Sequence, residues 1–78
     1  METTIDTTIP VHPYEQIANQ LRQAITAGEY TSKVPSVNDL ATMFDVSPGT
    51  AARALHILRD EGLVVGRPGL GTFVRKPS

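Results

Sequence analysis

The stretch that decides the fold is Ser47–Glu61, SPGTAARALHILRDE. Ser47 suits a helix N-cap, Pro48 the first helical position, and Gly62 a left-handed stop. Between them Ala51, Leu55 and Leu58 recur at i, i+4 and i+7, which makes one apolar helical face. Thr50, Arg53, His56, Ile57 and Arg59 take the other side, and no carboxylate occurs before Asp60. At 1.5 Å per residue such a helix is roughly 21 Å long. Just upstream, Ser36 to Phe44 has the pattern of a shorter amphipathic helix, connected tightly through Asp45 and Val46. Two helices joined so closely form a helix-turn-helix. The second, acid-free on its outer side and small at its start, is suited to a DNA major groove.

Working outward, Pro13 opens an earlier helix in which Tyr14, Ile17, Ala18, Leu21, Ala24 and Ile25 share a face until Gly28. Its other side is polar, with Glu15, Gln16, Asn19, Gln20, Arg22 and Gln23 expected in solvent. Residues 1–10 have no helical period and read as a flexible arm, in which Glu2 and Asp6 repel phosphate. The connector 28–35 is GEYTSKVP. Tyr30 is expected at the core edge, and Lys33-Val34 as a short strand, because a residue before proline is pushed into extended geometry. Ser36 then caps the second helix, with Asp39 completing a variant capping box. Val37, Leu40, Ala41 and Phe44, with Met43 at their margin, point inward.

After Gly62 the period changes. Residues 63–67, LVVGR, and 72–75, TFVR, read as two strands around Pro68-Gly69-Leu70-Gly71. Leu63 and Phe73 are expected inside, with Arg67, Arg75 and Lys76 toward solvent or phosphate. A hairpin directly after the reading helix is a wing. The predicted fold is therefore α+β and mostly helical, a winged helix-turn-helix of three helices and a two-stranded wing. It occupies residues 11–76, between the arm at 1–10 and a tail at 77–78.

The composition narrows the function. The 78 residues contain no cysteine, so no disulfide framework or thiolate metal site is expected. No apolar run is long enough to span a membrane, and the start lacks a secretion signal, so a cytoplasmic, nucleoid-associated protein is expected. The net charge of −1 hides a segregation. Residues 1–45 hold Arg22 and Lys33 against six carboxylates, whereas residues 46–78 hold four arginines and Lys76 against Asp60 and Glu61. The basic half carries the proposed reading elements. His12 and His56 have no ligand partners at metal spacing, and Asp60-Glu61 has no nucleophile or base beside it. Ser36 and Ser47 are accounted for by capping. The sequence therefore predicts no enzyme, no metal and no cofactor.

The run Tyr14-x-x-Ile17-Ala18-x-x-Leu21-Arg22-x-x-Ile25-x-x-Gly28, followed by Pro35-Ser36-x-x-x-Leu40-Ala41, Val46-Ser47-x-x-Thr50 and Arg53-Ala54-Leu55-x-x-Leu58-x-x-Glu61-Gly62-Leu63-Val64, closes with Gly69-x-Gly71-Thr72-Phe73-Val74. These blocks, in this order, resemble the DNA-binding domain of the GntR family of bacterial transcription regulators. Ser47-Pro48-Gly49-Thr50 with Arg53-Ala54 has the flavour of its YtrA-like branch. The resemblance implies a sequence-specific regulator, a repressor in the first instance. Three positions depart from it: Asn38, Pro48 and Ala52 stand where the family often carries arginine. The connector is two residues shorter than usual, and Asp45 replaces a common glycine. The family's C-terminal effector and dimerisation region is absent from these residues, so no small-molecule effector is expected within them. The initial Met1 and the absence of a tag suggest a complete small protein.

On this reading the partner is double-stranded DNA. The N-terminal turns supply Ser36 and Asn38 from the second helix, and Ser47, Pro48, Gly49 and Thr50 from the third. Arg53 is the best candidate for a guanine or phosphate contact. Arg67 with the Gly69 and Gly71 tip would meet a neighbouring minor groove or its backbone. Ile57 is either a lone exposed apolar residue or, joined with Ile5 and Ile9 of the arm, a self-contact or a patch that the arm covers. The expected assembly is a monomer that pairs weakly on DNA. A winged protein-interaction module with little DNA binding, and an RNA-binding wing, remain as alternatives.

Overall fold

In a computed structural model, described over residues 3–75, three helices precede a two-stranded antiparallel sheet. They are α1 (Pro13–Thr26), α2 (Val37–Phe44), α3 (Pro48–Asp60), β1 (Val64–Arg67) and β2 (Gly71–Val74). The architecture is the winged helix-turn-helix that the sequence predicts. Lys76 and the tail 77–78 lie outside the described residues, as does Glu2 of the arm.

Each boundary has a local cause. Ser36 accepts the Asp39 N–H at 3.1 Å, and the Asp39 carboxylate accepts the Ser36 N–H at 3.4 Å, which completes the expected capping box of α2. Ser47 accepts the Thr50 N–H at 3.2 Å and caps α3, with Pro48 inside the first turn. The α3 exit is a Schellman turn. Gly62 adopts φ +78°, its N–H reaches the Arg59 carbonyl at 3.0 Å, and the Leu63 N–H reaches that of Leu58 at 3.0 Å. Asp45 does the same service after α2 with φ 54°, a left-handed geometry that aspartate tolerates better than most residues.

The core is a single cluster. Ile17, Ala18 and Leu21 of α1, Leu40 and Phe44 of α2, and Ala51, Ala54, Leu55 and Leu58 of α3 are all buried. Val34 and Val64 close it from the connector and the wing. Leu63, Tyr30, Met43 and Ile57 are half-buried against it, so Ile57 presents no free apolar knob.

The sheet pairs Val64 with Val74 and Arg67 with Gly71. Its three-residue tip is a β-turn in which Leu70 N–H meets the Arg67 carbonyl at 3.0 Å, with Pro68 and a left-handed Gly69 (φ 77°) in the corners. On the far side of β2 the connector adds a partial third strand. Lys33 bridges to Phe73, Val34 N–H donates to the Thr72 carbonyl at 3.0 Å, and Val74 N–H donates to the Ser32 carbonyl at 2.6 Å. This pairing confirms the extended reading of Lys33-Val34. It also corrects the expected inward Phe73. With Val64 and Val74 on the core face, period-2 alternation sends Val65 and Phe73 to the opposite face, and Val74 takes the inward role.

A second correction concerns α1. Gln16, expected in solvent, is buried, because residues 3–12 run along the helix. Its amide donates to the carbonyls of Asp6 at 2.8 Å and Val11 at 2.9 Å, and its carbonyl accepts the Asp6 N–H at 2.8 Å. Gln20 donates to the Thr4 carbonyl at 3.0 Å, and Ile5 packs on the core. Farther along, Arg22 grips Glu61 through paired contacts of 2.5 and 2.8 Å, tying α1 to the end of α3. These hydrogen bonds hold the Glu61 carboxyl below its ordinary value and raise Arg22.

Leu58, fully buried, has neighbours on every side; Leu58→Ala is expected to cost about 2–5 kcal/mol in a urea titration, a large share of so small a domain's stability. The Glu61 shift carries its own test. A carboxyl lowered on folding adds stability above its unfolded value and loses it as pH falls through the folded one. Thermal midpoints of the parent should therefore fall on the acid side of about pH 4.3, and Glu61→Gln should flatten that part of the profile.

Candidate nucleic-acid interface

Burial of Ala51, Ala54, Leu55 and Leu58 turns the other side of α3 outward, so that Gly49, Ala52, Arg53 and His56 are exposed and Thr50 half-exposed. Gly49, Ala52, Arg53, His56 and Arg59 line a shallow groove with Val37 of α2 and Thr72 of the wing. Arg59 and Thr72 also line the adjoining concavity, whose other walls are Val65–Arg67 and the Pro68-Gly69-Gly71 tip. The outer side of α3 and the inner side of the wing thus form one continuous surface. Of the residues expected at the interface, this surface brings together Gly49, Arg53, Arg67, Gly69 and Gly71. Ser36, Asn38, Ser47, Pro48 and Thr50 lie instead at the two helix N-termini, outside both concavities.

The hydroxyls at the start of α3 form a pair. Ser47 Oγ and Thr50 Oγ1 are 3.0 Å apart, and Ser47 Oγ also accepts the Thr50 N–H. One hydroxyl proton is consumed within the pair, whichever group donates, and the other stays free for an acceptor outside. Asn38 is exposed in the first turn of α2, between the two residues of the capping box.

The arginines of this surface rest on rings or backbone. The Arg53 guanidinium lies over the Tyr14 ring at 4.5 Å, and His12 stacks on Tyr14 with centroids 5.4 Å apart. Arg67 lies over Phe73 at 5.9 Å. The tip of Arg59 approaches Gly66, where an added Cβ would sit 3.1 Å from it. Lys33 reaches across the wing: its Cε is 2.8 Å from where a Cβ on Gly71 would stand, and Gly71 has φ +118°. Of the acids at the end of α3, Asp60 lies 3.4 Å from His56 and Glu61 is held by Arg22.

Arg59 joins the basic surface and Lys33 reaches the wing at Gly71, outside both concavities, without either having been singled out by the sequence. Arg59 had a signal, since it lies on the acid-free side of α3 three residues after His56. Lys33 had none, because its position depends on pairing with Phe73 forty residues away.

Comparison with known proteins fits this geometry. The family described as bacterial regulatory proteins, gntR family, matches residues 13–74. The histidine utilization repressor of Klebsiella aerogenes is 37% identical over 70 residues, covering 87% of this chain and 29% of the relative. The chain thus spans under a third of that relative's length. Among solved structures, YtrA of Sulfolobus acidocaldarius, a GntR-family transcription factor, superposes with a TM-score of 0.81 at 34% identity, over 95% of this chain and 64% of its own. The AraR DNA-binding domain in complex with operator ORX1 gives a TM-score of 0.80 at 28% identity, over 91% and 93%.

Two substitutions test the local geometry. Ser47→Ala removes the cap and half of the hydroxyl pair and should lower stability by about 1 kcal/mol in denaturant titration. Gly71→Ala meets both a forbidding φ and the Lys33 stem; a loss of about 1–3 kcal/mol is expected, with the wing's amide signals shifted in NMR spectra.

Proposed function

The chain belongs to the gntR family of bacterial regulatory proteins, and from that premise we propose that it is a sequence-specific DNA-binding transcription regulator acting as a repressor. Residues 47–61 enter the major groove, and the 66–72 wing follows phosphate or the neighbouring minor groove. The observation that carries this reading is the unbroken surface from Gly49 through Arg59 to Arg67, with arginines that no carboxylate among the described residues pairs with. The likeness to a DNA-binding domain described in complex with an operator supports DNA as the partner, and the repressor named among its relatives supports repression.

In this proposal Ser47, Gly49 and Thr50 meet the DNA at the α3 N-terminus, where free N–H groups and the helix dipole favour phosphate. Pro48 and Ala52 offer only apolar contact. Ser36 and Asn38 approach the backbone from the start of α2. Arg53, Arg59, Arg67 and Lys33 supply the positive charge, and Gly69 and Gly71 keep the wing tip low. The protein acts in the cytoplasm, carries no catalytic activity, and pairs on DNA over two half-sites, because one reading helix spans only a few base pairs.

The test is binding to a pool of genomic duplexes across a salt series. A dimer with about six phosphate contacts should lose affinity with a log–log slope near −5. Arg67→Ala should weaken all sequences alike, and a two-half-site duplex should bind more tightly than a single one. Salt-independent binding, or none at low salt, would leave a winged protein-interaction module as the better reading.

A further inference from the structure

We infer that Tyr14 is a positioning residue that fixes Arg53 as a phosphate contact at the α1 edge of the interface, so that Arg53 does not read a base. The inference rests on the DNA-binding reading above and adds a role for a residue of the supporting helix. By the 100° step of a helix, Arg53 leaves α3 close to the middle of its exposed side. A side chain there would ordinarily sweep the groove. In the structure its guanidinium instead lies 4.5 Å above the Tyr14 ring, in the first turn of α1. Tyr14 is itself half-buried against the core and stacked with His12, which makes it a fixed platform.

A guanidinium lying on a ring has one face engaged and its N–H edges open. Among the described residues no carboxylate or hydrogen-bond acceptor takes those edges. Its delocalised fork is suited to a planar, bidentate grip on a phosphate. Reaching a base at the groove floor would require leaving the ring, whereas a phosphate passing the α1 edge can be met in place. The platform also removes much of the rotamer freedom that an exposed arginine would lose on binding. The centre of the reading side is then left to Gly49, Ala52 and His56, with Arg59 beside them toward the wing.

The experiment uses the 78-residue chain and a 30-base-pair duplex that it enriches from a random-sequence library, with single-base variants of that duplex. Arg53→Ala should lower affinity about 3–10-fold on every duplex and make the salt slope shallower by about one per bound protomer. Tyr14→Leu keeps the charge but frees it, so affinity should fall about 2–3-fold with little change of slope. Tyr14→Phe keeps the ring and should bind as the parent does. The decisive arm is the double variant, since Tyr14→Leu should add nothing once Arg53 is alanine. Thermal midpoints are read for each variant, and Tyr14→Phe guards against a mere packing loss. Two results overturn the inference while leaving DNA binding intact. One is loss of preference at a single base pair with an unchanged slope in Arg53→Ala. The other is a Tyr14→Leu cost that persists in the Arg53→Ala background. If the parent enriches no duplex at low salt, the DNA-binding reading itself falls, and this inference with it.

Discussion

Ala51 and Ala54 lie where α3 meets the other two helices, and both are completely buried. Helix axes pack at about 8–10 Å according to the side chains between them, and methyl-sized residues allow the near end of that range. The approach lets Leu55 and Leu58 reach the same cluster as Ile17, Leu21, Leu40 and Phe44. A larger residue at 51 or 54 would lift α3, and with it every group on the outer side. The inner stripe is narrow enough that the remaining positions of the helix are free of packing duty. From the close end of α3, the turn at Gly62 hands Leu63 and Val64 to the core, and the wing departs in a direction already set.

The distribution of charge follows a second pattern. Several acids are engaged: Asp39 closes a cap, Asp6 accepts the Thr8 N–H at 2.9 Å and its hydroxyl at 2.5 Å, and Glu61 is held across the fold by Arg22. The arginines of the outer surface are seated on Tyr14, Phe73 and the Gly66 backbone, with Lys33 across Gly71. Stacking on apolar surface orders a guanidinium without neutralising it. A chain with a net charge of −1 can thereby present an interface that is locally cationic.

Much of the fold was legible because it is written in local chemistry. The capping box at Ser36-Asp39, the Ser47-Pro48 start, the Gly62 stop and the left-handed Asp45 each depend on residues within one turn. The Pro68-Gly69 corner is of the same kind. What escaped the sequence involves partners distant along the chain. Phe73 looked like a core residue by composition, but its facing was decided by which valine pair meets Leu58 and its neighbours. Gln16 looked like a surface residue until residues 3–12 supplied its carbonyl partners. Of the candidate surface, Gly49, Arg53, Arg67 and the wing-tip glycines could be named in advance, whereas the other expected residues lie outside its concavities. The seating of Arg53 on Tyr14 could not, because it spans thirty-nine positions and leaves no periodic trace.

The strand formed by residues 32–34 ends two residues before Asn38's helix begins, with only Pro35 and the capping Ser36 between. Proline fixes one dihedral of that bridge and the capping box fixes the other end. The wing and the start of α2 are therefore linked through two residues of restricted geometry, and a displacement of the hairpin would be handed to the head of the second helix along the chain itself rather than through any packed contact.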